Sequence, residues 1–113
     1  MSGLRLSVRK VDDVQVVDLA GSLDTQTFPL AEAQLSELIG GGARKILVNF
    51  SELDYISSAG LRILLVAAKQ LHREAGEIQI CELSDVVREV FDISGFAAIF
   101  KVSETEKEAL SRF

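Results

Sequence analysis

Apolar and polar residues alternate from the start of the chain, with Leu4, Leu6 and Val8 interleaved with Arg5, Ser7 and Arg9. Successive side chains of a strand point to opposite faces, so this period of two predicts a strand with one wet face, at a sheet edge or half covered. Val11-Asp12-Asp13 signals a turn, and Val14 to Leu19 reads as a second strand closing at Ala20-Gly21; the two make a hairpin. The period then changes to that of a helix. Thr27 is placed to cap it, Pro29 sits in the first turn where its missing N–H costs nothing, and Ala31, Leu35, Leu38 and Ile39 follow at helical spacing until Gly40-Gly41-Gly42. Ile46 to Phe50 is nearly continuous and apolar, as expected of a central strand covered on both faces.

A second amphipathic stripe runs through Leu61, Leu64, Leu65, Ala68 and Leu71, with Arg62, Lys69, Gln70 and Arg73 off it and Gly76 as the stop. Ile78 to Cys81 predicts a short strand. Ser84 then caps a helix that turns Val86, Val87, Val90 and Phe91 inward and ends at Ser94-Gly95. A further strand is expected over Ala98 to Val102, and Ser103-Glu104-Thr105-Glu106 matches a capping box that opens a polar terminal helix through Leu110. Strand–helix–strand connections within one sheet require parallel pairing. The predicted class is therefore α/β with a mixed sheet, and residues 1–113 read as a single domain without internal repeat, low-complexity segment or linker.

Composition narrows the chemistry. A chain of 113 residues with 48% apolar residues can bury roughly 65% of its unfolded surface without disulfides or metal. The net charge of -5 gives no drive toward phosphate backbones, which disfavours nucleic acid and anionic membranes as partners. The single Cys81 cannot form an internal disulfide and reads as a small core side chain in its strand. No basic start followed by an apolar run resembles a signal peptide, and the longest apolar run, Ile63 to Ala68, is far below the ~20 residues that cross a bilayer. These features lead to the expectation of a cytoplasmic protein with no cofactor.

Asp54-Tyr55-Ile56-Ser57-Ser58-Ala59-Gly60-Leu61 lies between the central strand and the second helix. Such a junction exposes side chains at the end of a sheet, beside helical N–H groups without intrahelical partners. A serine hydrolase would need a base there. The one histidine, His72, lies about four turns along the following helix, or roughly 20 Å away. Asp12, Asp13, Asp18, Asp24, Glu52 and Asp54 fall in no EF-hand or zinc spacing. Gly40-Gly41-Gly42-Ala43-Arg44-Lys45 lacks the phosphate-loop spacing and follows a helix where it should precede one. On these grounds no enzymatic activity is expected. Local physics alone leaves the serines as a helix cap or a functional pair.

Four segments resemble one known family in order and spacing: Gly21-Ser22-Leu23-Asp24, Ile46 to Phe50, Tyr55 to Arg62, and Val90-Phe91-Asp92-Ile93-Ser94-Gly95-Phe96. They are similar to the STAS domain, and most of all to its stand-alone bacterial branch, the anti-sigma-factor antagonists. The resemblance implies a mixed sheet of four to five strands with about four helices packed mainly on one side. It implies a partner-switching mechanism, in which the unphosphorylated protein binds an anti-sigma factor of histidine-kinase-like ATPase fold that is also a serine kinase. Phosphorylation of one serine releases it, a PP2C-type phosphatase restores it, and sigma-factor-dependent transcription responds. The family's phosphoacceptor falls on Ser58, with Ser57 as second choice. Ser57 stands where well-known members have Asp, which leaves a neutral hydroxyl in place of a carboxylate. Asp24, Tyr55, Ser57, Ser58, Ala59, Gly60 and Arg62 are the expected partner-binding residues, on a monomer or weak dimer. The same family also supplies accessory subunits of lipid-transporting ABC complexes and stressosome-type scaffold modules, two further readings of the resemblance.

Overall fold

The computed structural model describes residues 3–113; Met1 and Ser2 of the predicted alternating start lie outside the described residues. Among the described residues five strands form one sheet in the order β1-β2-β3-β4-β5, comprising β1 (Leu4–Val11), β2 (Val14–Leu23), β3 (Lys45–Ile56), β4 (Glu77–Cys81) and β5 (Lys101–Ser103). β1 and β2 are the expected antiparallel hairpin, turned at Asp12 with φ of 55°, and every later pairing is parallel. The α-helices of the described residues are α1 (Phe28–Gly40), α2 (Ser58–Arg73), α3 (Asp85–Ser94) and α4 (Glu106–Leu110).

Alternation along the strands sorts the sheet into two faces. Val17, Leu19, Ile46, Val48, Phe50, Ile78 and Ile80 face α1, α2 and α3, which contribute Ala31, Leu35, Leu64, Leu71, Val87 and Phe91 to the main core. Val14, Val16, Leu47 and Cys81 face the other way and are covered by Ala109 and Leu110 of α4 and by Phe113 beyond it. Ile46 to Phe50 is buried throughout, as a central strand between two helical layers must be. Burial also pushes the Cys81 thiol up to about 12, so it stays an uncharged core side chain at neutral pH.

Several boundaries differ from the sequence expectation. β2 continues four residues past Leu19 to Leu23, and β3 continues six past Phe50 to Ile56. Two irregularities in the β2–β3 register, between Asp18 and Ala20 and between Gly21 and Ser22, let the strands run on together. Gly21 takes φ of +101°, and a Cβ there would lie 2.1 Å from the Gly3 carbonyl oxygen, so only glycine fits. Val86 is 59% exposed, because Val87 and Phe91 alone carry the buried face of the ten-residue α3. The strand expected over Ala98 to Val102 starts at Lys101; a single 3₁₀ turn at Phe96–Ala98 precedes it, and Ile99 is 58% exposed. Ser103 is buried in β5 and does not cap α4. Thr105 does, with its hydroxyl accepting from Glu108 N–H at 3.1 Å, while the Glu108 carboxylate accepts from Glu104 N–H. The N-cap is thus shifted two residues, from Ser103 to Thr105.

Candidate functional site

Parallel pairing brings the ends of β2 and β3 to the same edge of the sheet, with Ser22 opposite Tyr55 and Leu23 opposite Ile56. The pairing extends one step into the loop, since Ser57 N–H donates to the Leu23 carbonyl at 2.9 Å. Asp24 follows Leu23, so the GSLD turn and the two serines are side by side although 33 residues apart in the chain. Carboxyl ends of parallel strands are where α/β sheets place their sites.

The structure separates the roles of the two serines. Ser57 is the N-cap of α2: its backbone is extended, and its side-chain oxygen accepts from Gly60 N–H at 3.4 Å. Ser58 is the first helical residue and is exposed, and among the described residues no hydrogen bond ties its hydroxyl. A group attached there would stand beside the free N–H groups and positive dipole end of a 16-residue helix. Arg62, also exposed, lies one turn further along α2, on the same face as Ser58.

Asp24 is locked in place by the next turn. Its Oδ1 accepts from Gln26 N–H at 2.9 Å and from Thr27 N–H at 3.1 Å. The Gln26 amide first, and then Thr27, hold this carboxyl below its ordinary range. The Thr27 hydroxyl donates to the Ser22 carbonyl at 2.7 Å and accepts from Asp24 N–H at 2.9 Å. Thr27 therefore occupies the N-cap position of α1 but makes no side-chain cap bond, contrary to its expected role. Sequence reading missed Thr27 as a residue of this loop; the Asp24–Thr27 spacing of three was the available signal, because it lets each side chain bond the other's backbone.

Tyr55 is 48% exposed beside this loop, and Ala59 is half-buried. Gly60 was expected on the partner surface and is instead buried. A Cβ there would approach Leu23 Cγ at 2.8 Å, Ile56 Cγ1 at 2.9 Å and the Leu23 carbonyl oxygen at 3.0 Å. Its task is to let the first turn of α2 rest on the ends of β2 and β3. Of the residues expected on that surface, Tyr55, Ser58 and Arg62 are exposed, and Asp24, Ser57 and Ala59 are half-buried.

Other chemistry is not brought here. His72 is exposed on the last turn of α2, 14 residues along a continuous helix from Ser58 and so roughly 21 Å away. Among the described residues no three His, Cys, Asp or Glu side chains are grouped to hold a metal ion, and no helix is long and apolar enough to cross a membrane.

Residues 5–109 match the family model of the STAS domain. The chain is 40% identical over 110 residues to BtrV of Bordetella bronchiseptica, whose name gives it as a candidate anti-sigma factor antagonist; the match covers 97% of this chain and 95% of BtrV. Among solved structures, the anti-sigma factor antagonist SpoIIAA in its unphosphorylated form superposes with a TM-score of 0.82 at 30% identity, over 96% of this chain and 95% of that one. The same Bacillus cell fate determinant in its phosphorylated form superposes with a TM-score of 0.74 at 29% identity, over 96% and 98% of the two chains.

Proposed function

The chain belongs to the STAS domain family, and on that premise we propose that it is an anti-sigma-factor antagonist switched by phosphorylation of Ser58. The unmodified surface of Asp24, Tyr55, Ser58 and Arg62 docks on an anti-sigma factor of histidine-kinase-like ATPase fold, and displaces the sigma factor from it. That partner transfers the γ-phosphoryl group of ATP to the Ser58 hydroxyl, and a PP2C-type phosphatase removes it. The observation that carries this reading is the exposed Ser58 hydroxyl at the first position of α2, beside an Asp24 loop fixed by its own hydrogen bonds. The names of the related proteins support the antagonist role, and the solved phosphorylated form of a relative supports a phosphorylation switch in this fold.

The switch follows from electrostatics. A phosphate adds about -1.5 to -2 charge at pH 7, and a helix N-terminus accepts an anion readily, so the domain itself stays folded. A close contact with another protein does not tolerate it, because an unpaired desolvated charge costs several kcal/mol. About 4 kcal/mol is a thousandfold in affinity. The test is a pull-down with wild-type, Ser58→Ala and Ser58→Glu baits in the presence of ATP, with retained proteins identified by mass spectrometry. An ATPase of histidine-kinase-like fold should be held by Ser58→Ala, released from wild type by ATP, and missing from Ser58→Glu. Equal retention on all three baits would place the interface elsewhere.

A further inference from the structure

Among the described residues, Gln79 is the one buried side chain whose polar atoms find no partner. It is fully buried at the middle of β4, and neither its Nε2 nor its Oε1 takes part in a hydrogen bond. Strand register shows where it points. Gln79 pairs with Leu47 of β3 on one side and Lys101 of β5 on the other. Residues paired across a parallel sheet share a face, and Leu47 belongs to the face that α4 covers. Gln79 therefore lies on that face, with Cys81 two residues further along the same strand. Both are buried there, beneath α4 and residues 111–113. A buried amide with neither end paired opposes its own cover, because the hydrogen bonds it makes to water are given up and none replaces them.

The cover is lightly held. α4 has five residues, too few to stay helical without packing. Its Glu106 N–H donates to the Glu82 carboxylate at 2.9 Å, and Glu82 itself has a left-handed backbone with φ of 62°, which costs free energy outside glycine. The Glu106 carboxylate is bound by Arg9 and Asn49, and the Arg112 guanidinium donates to the Val102 carbonyl at 3.2 Å and to Ser103 Oγ at 2.9 Å. Bonds of this kind at a wet surface are each worth little. Lifting α4 breaks them but returns the Gln79 amide to water, while the sheet and α1 to α3 keep their own core.

We propose that α4 and residues 111–113 form a strap that lifts from the sheet as a unit, hinged between β5 and α4, and that Cys81 is a gated thiol beneath it. With the strap down, Cys81 has no exposed surface and its thiol stays protonated. With the strap raised, Cys81 ionises in water and its thiolate attacks a low-molecular-weight disulfide. A new S–S bond joins Cys81 to one half of the reagent, the reagent's own S–S bond breaks, and the other half leaves as a thiolate. The thiol proton goes to water. The adduct does not fit a fully buried site, so the strap cannot close over it. Modification thus fixes the raised state until a reductant removes it. The strap lies on the face of the sheet opposite α2 and Ser58.

The full chain in excess dithiobis(nitrobenzoic acid), with released thionitrobenzoate followed by absorbance, tests this. Wild-type labelling should be nearly independent of urea well below the unfolding midpoint, since a short strap uncovers little surface. Gln79→Leu removes the unpaired amide and should slow labelling roughly tenfold, whereas Leu110→Ala loosens the strap and should speed it by a similar factor. The labelled chain should lose amide protection over Glu106–Leu110 and keep it over β2 and β3. Wild-type labelling that occurs only with the full urea slope of global unfolding overturns the proposal. So does a folded Gln79→Leu chain that labels as fast as wild type, or a labelled chain that has lost protection in β2 and β3 as well.

Discussion

At the scale of single residues, two adjacent serines are divided by one step of helix geometry. The Ser57 oxygen is spent on Gly60 N–H, whereas Ser58 starts the helix and faces solvent. Replacing Ser57 by Ala should cost about 1 kcal/mol in urea unfolding, the usual value of an N-cap, yet leave phosphate incorporation from ATP at Ser58. Loss of that incorporation with Ser58 intact would reverse the assignment. The pair was legible as a cap plus a candidate from the strand-to-helix junction alone. Its division was not, since Ser is an equally good cap at either position and only the start of the helix decides.

At the scale of elements, the site depends on how closely α2 approaches β2. A Cβ on Gly60 would lie 2.8–3.0 Å from atoms of Leu23 and Ile56. Part of that wall is backbone, so Gly60→Ala must move the helix start and not just a side chain. It should destabilise by about 1–3 kcal/mol and weaken partner binding as well, seen as a lower urea midpoint together with a raised Kd; unchanged values for both would contradict the packing described. Strands and helices were largely legible here, because hydrophobic periodicity carries across each of them. Element ends were less so. Thr27 has a cap-forming side chain, but Asp24 and Ser22 compete for its hydroxyl. Two capping residues, Ser103 and Thr105, lie in reach of α4, and β5 claims the first. The approach of Asp24 to Ser57 rests on strand pairing between residues far apart in sequence, which periodicity does not encode.

At the scale of the whole molecule, a polar cluster ties the terminal helix to the sheet. Glu106 of α4 accepts from Arg9 of β1 and, at 2.9 Å, from Asn49 of β3; Arg9 also grips Asp18 of β2. The Arg9 guanidinium, and secondarily Asn49, hold the Glu106 carboxyl below its ordinary range. A depressed carboxyl contributes stability that is full above its unfolded value, about 4.3, and is lost as pH falls through the lower folded value. Glu106→Gln should therefore lower stability near pH 7 by about 1 kcal/mol, kept small because Arg9 is 44% exposed. The deficit should shrink toward zero as pH falls through the depressed folded value, where the wild-type carboxyl is protonated too. Thermal melts of the two proteins across pH read this directly, and a deficit independent of pH would mean that packing rather than charge ties α4 down.

The same scale holds the central claim, that phosphate on Ser58 acts on the partner and not on the fold. Calorimetric titration of the anti-sigma partner with the unmodified chain, and with a chain carrying phosphoserine only at position 58, tests it most directly when paired with the melting temperature of each. The predicted result is an affinity lower by roughly a thousandfold with little change in melting temperature. Equal affinities, or a loss of binding accompanied by unfolding of the phosphorylated chain, would contradict it.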